Sequence, residues 1–325
     1  MEFLEKYKLS PLYRQCANSW SPTLLHDGFA IPGETPSPVM PLNLALDFAK
    51  DRRTEMVSKI LADKLAADQR TDAAIFLSSQ TPNSGRWLTF RGGEYGSFRM
   101  YGSAFRLALQ RKILAPPSPQ QLEDRLKPCR CGASLEIRSH PTHREDCASN
   151  QYYFDARHTT ICNLLQRYLK VSFPNTPVHR EVEITGARQP AKMDVVLNRG
   201  SGKFYIDVAV TNPACHTNIQ IGAATKPDAA SESREKMKTQ KYFYVPNLPG
   251  EGPHYFVPFI IESTGRLGKQ AIKFLKECRD ELNPRPLTTL LTSISACLAL
   301  YNSLMAANST RRLNRDEELV VTGEH

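Results

Sequence analysis

Apolar residues recur every three or four positions in several stretches of the chain, which is the spacing of one helix face. These predicted helices cover residues 42–67, 103–114, 157–170, 267–282 and 287–305. Shorter runs rich in β-branched and aromatic residues predict strands at 179–184, 194–197, 204–210 and 256–261. Because these strands are preceded and followed by helices, the pattern predicts an α/β or α+β domain from residue 151 to about 312.

Proline, glycine and charge divide the rest of the chain. Residues 1–41 are rich in proline and predict an irregular leader, and a helical segment follows at 42–120, where APPSPQ marks a boundary. Residues 121–150 hold few large apolar groups, so we expect a small module stabilised by a metal. A charged tail occupies residues 313–325.

Composition restricts the class of protein and its partners. No stretch approaches the roughly 18 uninterrupted apolar residues of a membrane span, and MEFLEKYKLS lacks the apolar core of a signal peptide. We therefore expect an intracellular protein, in the nucleus, without a membrane partner. The chain has 42 Lys and Arg against 33 Asp and Glu, a net charge of +9, which suits a polyanionic partner.

Three of the eight cysteines fall within nineteen residues, beside histidines. Cys129, Cys131, His143 and Cys147 form the pattern C-x-C-x11-H-x3-C, and three thiolates with one imidazole favour Zn²⁺. His140 is an alternative third ligand, three residues before His143. Because four protein ligands leave no open position for water, we expect the zinc to be structural.

Basic residues surround this predicted zinc module. From Arg99 to Arg144 there are nine Lys or Arg and three Asp or Glu, with aromatic residues between them, which is typical of a nucleic-acid-binding surface. A solvated basic face without a ligand is the alternative. Arg130, Arg138 and Arg144 are the candidate phosphate ligands.

Two aspartates carry the candidate chemistry. Asp194 opens the strand-like DVVL and Asp207 lies within FYIDVAV, after the short turn NRGSG, so a hairpin would bring both carboxylates near one point. Paired carboxylates bind Mg²⁺, whose retained water can attack a phosphodiester. The lysines of REKMKTQKY could stabilise the charge that develops in the reaction.

These residues belong to a longer series of motifs. The series runs from RH at 157–158 through Glu181, Asp194 in KMD and IDVAVTNP to Lys238–Tyr242 (K-x-x-K-Y) and FVPFIIESTGRLG. It resembles the restriction-like endonuclease of site-specific non-LTR retrotransposons, and the cysteine pattern resembles the zinc knuckle that precedes that nuclease. SGRWLTF and SAFRLALQRKIL are similar to the segment before the knuckle, so the resemblance extends from about Gly85 to Arg312.

The resemblance implies a PD-(D/E)xK nuclease core, a mixed sheet flanked by helices. It implies that Asp194 is the first metal-binding acid, Asp207 the second and Glu181 a helper acid. The family's compact motif places its lysine where this chain has Ala209, so the lysine is expected on a neighbouring helix, with Lys241 the best match and Lys238 next. The proline of the motif is Met193 here.

The resemblance also implies the function and the partners. We expect a Mg²⁺- or Mn²⁺-dependent DNA endonuclease that nicks duplex DNA, with Arg157 and His158 near the nucleic acid. RNA is an alternative ligand. The chain contains no Y-x-D-D motif, so a reverse transcriptase would have to be encoded elsewhere. The alternative function is a catalytically inactive, zinc-containing nucleic-acid-binding protein derived from a retroelement.

Overall fold

The computed structural model describes residues 70–90, 100, 102–112, 114, 129, 131–134, 142–184, 191–200, 202–250, 252–279 and 283–308. The predicted leader, the predicted helix at 42–67 and the charged tail lie outside these ranges. The helices are α1 (Arg70–Ser79), α2 (Gly102–Lys112), α3 (His143–Asp146), α4 (Gln151–Ser172), α5 (His216–Gln220), α6 (Ala229–Lys241), α7 (Lys269–Glu277) and α8 (Arg285–Asn308). The strands are β1 (Val178–Glu183), β2 (Lys192–Arg199), β3 (Gly202–Thr211) and β4 (His254–Glu262). Single-turn and longer 3-10 helices cover Pro82–Thr89, Ala148–Asn150 and Val245–Asn247.

The four strands form one open, mixed sheet in the order β1-β2-β3-β4. The first two pairs are antiparallel, as expected for short connections, whereas β3 and β4 are parallel. A parallel pair needs a crossover, and α5 and α6 lie in the connection from β3 to β4. The fold is therefore α+β, which confirms the predicted class, and all four predicted strands are present.

Alternation along the strands divides the apolar side chains between two faces. On the first face, Val208 of β3 and Phe259 of β4 are buried in one cluster with residues of α4, α7 and α8, such as Ile161 and Leu298. On the second face a smaller cluster joins the sheet to the end of α6 and the following 3-10 helix. Its buried members are Ile184, Met193, Val196, Tyr205, Tyr242 and Val245.

The last helix, α8, has 24 residues and is long and apolar enough to cross a membrane. However, 72% of its most apolar window is buried inside the protein. Leu290, Ile294 and Leu298 pack in the main core with α4. The apolar stripe predicted at 287–305 therefore serves core packing.

Arg266, in the turn after β4, fixes α1 to the sheet. Its guanidinium donates hydrogen bonds to the main-chain carbonyls of Leu77, Ser78 and Gln80 and pairs with Asp228 at 2.8 Å. The last carbonyls of a helix have no partner within the helix, so this arginine satisfies the C-terminal end of α1. The described part of the predicted helical segment therefore packs against the sheet domain.

Glu262, the last residue of β4, is fully buried and joins three elements. It accepts hydrogen bonds from the Ser78 hydroxyl of α1 and, at 3.1 Å, from the Ser231 amide in the first turn of α6. Burial raises the pKa of Glu262, although both hydrogen bonds favour its charged form.

The raised pKa of Glu262 predicts a pH-dependent stability. A carboxyl whose pKa is higher in the folded than in the unfolded state stabilises the fold below the unfolded pKa of about 4.3, and this contribution is lost as pH rises. Glu262→Gln does not titrate. We expect the stability of the wild type to fall relative to that of this variant as the pH rises from about 4.3 towards neutrality. The free energy of unfolding of both proteins, measured with denaturant across this pH range, gives the difference. A difference that stays constant with pH would contradict the raised pKa of Glu262.

Gly265, in the turn after β4 that also contains Arg266, has a φ of +102°. A Cβ there would lie 3.2 Å from Ser84 Cα and 3.3 Å from the Asn83 carbonyl oxygen. We expect Gly265→Ala to lower the free energy of unfolding by about 2 kcal/mol, from strain and crowding against rigid backbone. Gly85→Ala is the matched control, because nothing lies within 4 Å of its added methyl. Equal denaturation midpoints for the two variants would contradict this account.

Candidate functional site

Cys129, Cys131, His143 and Cys147 come together in the structure, with ligand atoms all within 4.8 Å of one another. The Sγ atoms of Cys129 and Cys147 are 3.3 Å apart, and Cys131 Sγ is 3.6 Å from His143 Nε2. Tetrahedral ligands at zinc–sulfur distances of 2.3 Å lie about 3.8 Å apart, so the spacing suits one ion. The cluster could therefore bind a metal such as zinc. The alternative ligand, His140, lies outside the described residues.

The thiols of this cluster differ in how readily they ionise. Burial opposes ionisation of Cys129, but hydrogen bonds from the Cys131 backbone and from His143 lower the pKa of the Cys129 thiol to about 6. The thiolate is the form that binds metal. Cys129 therefore offers a thiolate near neutral pH, whereas burial raises the pKa of the Cys147 thiol to about 11.

Helix α3, which begins at His143, attaches the cluster to the sheet domain. Asp146 accepts hydrogen bonds from the Asn212 side chain at 3.0 Å, just beyond the end of β3. Glu145 pairs with Arg111 of α2, whose pKa burial lowers to about 10. Arg111 also donates to the Ser263 hydroxyl at 3.1 Å. The Cys/His cluster is thus held beside the end of β3.

The sheet is distorted where β2 carries Asp194. The β1–β2 pairs include Arg180 with Val195 and Val182 with Met193, but skip Glu181 and Asp194. At this position Glu181 has a φ of +56°, in the left-handed region. The β2–β3 pairs end with Val195 and Ile206, although β3 continues to Thr211. Asp194 therefore lies at a one-pair interruption of the β1–β2 ladder and directly beyond the last β2–β3 pair.

The Asp194 side chain occupies the gap between β2 and β3. Its Oδ2 accepts a hydrogen bond of 2.7 Å from the main-chain amide of Val208, in place of a β2 carbonyl. His158 of α4 places its Nε2 3.3 Å from the same oxygen and 3.1 Å from the Val208 carbonyl oxygen. The hydrogen bond to Asp194 raises the pKa of His158 to about 10.

Val195 and Ile206 form the last β2–β3 pair. Asp194 is the neighbouring residue on β2, and Asp207 is the neighbouring residue on β3. The two acids are therefore on neighbouring strands, as predicted. Asp207 is buried, and Lys238 of α6 places its ammonium 2.7 Å from Oδ2. Burial, followed by the charge of Asp207 and a hydrogen bond to it, raises the pKa of Tyr242 well above its usual value.

The two candidate lysines have different environments. Lys238 contacts Asp207, whereas the side chain of Lys241 is exposed and its ammonium lies 4.9 Å from the centroid of the Tyr242 ring. The helical phase of α6 turns Lys238, and not Lys241, towards the sheet. Lys238, the second match from the sequence, is therefore the better candidate for the lysine beside the two acids.

The helper acid predicted at Glu181 lies on β1 beside Asp194 in the strand order, but its carboxylate is exposed. It pairs with Lys192 at 2.7 Å, and this pair lowers the pKa of Glu181. The structure therefore brings Glu181 near the distorted strand without directing it to Asp207.

The predicted nucleic-acid ligands are separated. Arg157 is buried and donates to the Asn302 side chain of α8 at 2.8 Å, and burial lowers its pKa to about 10. It therefore joins two core helices instead of presenting a free guanidinium to a phosphate. His158 turns towards Asp194. Arg144 is partly exposed beside His143, and Arg130 and Arg138 lie outside the described residues.

A cleft of about 440 Å³ connects the two candidate centres. One side is formed by Glu145 and Asp146 beside the cysteine cluster, and the other by Lys238 and Arg234 of α6. His158 also lines this cleft, so a ligand in it would reach the imidazole from solvent. Arg234 was not predicted from the sequence, because α6 has no apolar periodicity that would show which face of the helix points inward.

The donor atoms around Asp194 fit a divalent cation. A carboxylate, a main-chain carbonyl at Val208 and an imidazole at His158 are all common ligands of such ions. Cys162, interpreted from the sequence as a structural thiol, lies in the same group as His158 and Asp194. The spacing of His158 and Cys162, four residues apart on a helix, is the signal that the sequence offered for this group.

Comparison with known proteins does not assign a family, because no protein-family model matches the chain and no curated protein matches it. The function therefore has to be inferred from the residues and their geometry.

The Cys/His cluster predicts a dependence on zinc. We expect Cys129→Ser to lose about one equivalent of zinc and to lower the melting temperature, because metal binding contributes to folding. Cys215→Ser is the matched control, since Cys215 is partly exposed and its nearby partner is the Thr217 hydroxyl. Metal analysis and thermal unfolding of purified protein measure both effects. Unchanged zinc content in Cys129→Ser would contradict the assignment.

Proposed function

We propose that this chain is a divalent-metal-dependent DNA endonuclease of retroelement origin, with a zinc knuckle attached to a restriction-like nuclease core. One observation carries the proposal. Asp194 and Asp207 lie at the place where two neighbouring strands separate, and Lys238 reaches Asp207 from a neighbouring helix. Two acids and a lysine in this arrangement are what hydrolysis of a phosphodiester needs.

The residues have distinct roles in this proposal. Asp194 and Asp207 would hold the ion, and a bound Mg²⁺ or Mn²⁺ would supply an activated water and neutralise charge on the phosphate. The ammonium of Lys238 would orient the attacking water or stabilise the developing negative charge. Tyr242, whose hydroxyl bonds to Asp207, would keep that carboxylate in place.

The surroundings of the acids suit a nucleic-acid substrate. Arg234 and Lys238 add positive charge to the cleft, which Glu145, Asp146 and Asp155 also line, and the whole chain carries a net charge of +9. The cysteine cluster lies on the side of Glu145 and Asp146, where the zinc module would help to hold DNA.

One observation favours the alternative of an inactive nucleic-acid-binding protein. Asp194 already has His158 as a partner and Asp207 has Lys238, so two positive groups balance two acids without a metal. A protein that only binds nucleic acid could keep this arrangement for its fold. The two functions differ in whether the phosphodiester is cut.

The different environments of the two lysines predict different effects on cleavage. We expect Lys238→Ala to lower the rate of supercoiled-plasmid nicking by a factor on the order of 10² to 10³, because it removes a charge positioned at the site. Lys241→Ala is the matched control from the same helix and should nick at close to the wild-type rate. Asp207→Asn should abolish nicking with Mg²⁺ or Mn²⁺ while leaving DNA affinity nearly unchanged.

Circular dichroism and zinc content establish that each of these variants is folded. Equal loss of nicking in the two lysine variants would contradict the role of Lys238. A wild-type protein that binds DNA and never nicks it with either metal would favour the binding-only function.

A further inference from the structure

His158 is placed where a metal ligand would be. Its Nε2 atom lies 3.3 Å from Asp194 Oδ2 and 3.1 Å from the carbonyl oxygen of Val208. Ligand atoms at right angles around an octahedral ion with bonds of about 2.1 Å are about 3 Å apart. Both distances therefore suit atoms that share one ion.

The same group of atoms is accessible from solvent. The side chains of His158 and Asp194 are 38% and 21% exposed, and Val208 lines the cleft of about 440 Å³ together with His158. Water could therefore complete the coordination, and a phosphate could approach from the cleft. These features are those of an open metal site.

We propose that His158, Asp194 and the Val208 carbonyl oxygen bind one divalent cation, and that the imidazole makes the site select Mn²⁺ over Mg²⁺. This inference rests on the proposed nuclease function, since the ion is the one that Asp194 and Asp207 would hold there, with His158 and the Val208 carbonyl oxygen as additional ligands. Mg²⁺ prefers oxygen ligands, whereas a nitrogen ligand favours first-row transition metals. The cation takes the place of the proton shared by His158 and Asp194, and that proton is released to solvent.

Cys162 belongs to the same cluster but does not act as a ligand in this proposal. Its Sγ is 3.9 Å from His158 Nδ1 and 3.8 Å from Nε2, so the sulfur lies beside the ring, about equally far from both nitrogens. It is also fully buried. Cys162 therefore supports the imidazole by packing, and its removal leaves the three proposed ligands in place.

The test measures metal binding by the zinc-loaded protein without DNA. Free Mn²⁺ is followed by electron paramagnetic resonance during titration with Mn²⁺ alone, and Mg²⁺ is then added as a competitor. We expect His158→Ala and His158→Gln to lose about 10-fold or more in Mn²⁺ affinity and to change Mg²⁺ affinity far less. Cys215→Ser, at a partly exposed cysteine outside this group, is the control and should keep the wild-type affinities. Retained zinc shows that each variant is folded.

The outcomes separate this inference from the proposed function. If both His158 variants keep the wild-type ratio of Mn²⁺ to Mg²⁺ affinity, His158 is not a ligand. If Cys215→Ser loses as much Mn²⁺ affinity as they do, the loss is not caused by His158. Asp194→Asn tests the nuclease site itself: it should lose both metals, and wild-type Mn²⁺ binding in that variant would overturn the proposed function as well.

Discussion

The candidate site depends on the early end of the β2–β3 ladder at Val195 and Ile206. Beyond that pair β3 continues, and its amide at Val208 needs an acceptor that β2 no longer supplies. The Asp194 carboxylate takes this role at 2.7 Å. A side chain thus replaces a main-chain carbonyl in the sheet, which fixes the Asp194 carboxylate against β3, the strand that carries Asp207, and leaves 21% of the Asp194 side chain exposed.

Charge compensation follows from this constraint. Two acids on neighbouring strands repel each other unless positive charge or a proton lies between them. Here α4 supplies His158 on one face of the sheet and α6 supplies Lys238 on the other. Both helices pack on the sheet through apolar clusters, so the same packing that forms the core also places the two positive groups.

The sequence predicted the strands because their side chains alternate and are rich in β-branched residues, and it predicted that Asp194 and Asp207 lie on neighbours. It could not predict which lysine contacts Asp207. The inward stripe of α6 is Ser231, Glu235, Lys238 and Tyr242, at helical spacing but mostly polar. Apolar periodicity therefore does not show the phase of this helix, and by motif alone Lys241 was the better match.

Contacts between residues far apart in the sequence explain where the other predictions differ from the structure. The basic pair at 157–158 predicts a phosphate ligand only if the arginine side chain stays on the surface. Arg157 is instead buried against α8, which follows more than a hundred residues later and supplies its hydrogen-bond partner Asn302. The distance between His158 and Asp194 is likewise set by the packing of α4 on the sheet. By contrast, the cysteine cluster is local in sequence, so its spacing alone was enough to predict that its four members meet.

The two candidate centres differ in chemistry but share one strand. The Cys/His cluster offers four soft or borderline ligands and leaves no position for water, which suits a structural ion. The group at Asp194 offers oxygen and nitrogen atoms beside an open cleft, which suits an ion that exchanges ligands. Val208 of β3 borders the second, and four residues later Asn212 holds Asp146 next to the first. Because β3 stays paired with β4 up to Thr211, a displacement of the cysteine module at Asn212 would act directly on the end of this strand. Glu145 and Asp146 of this module line the cleft, so a metal bound by the cysteines would influence the geometry in which a substrate would bind.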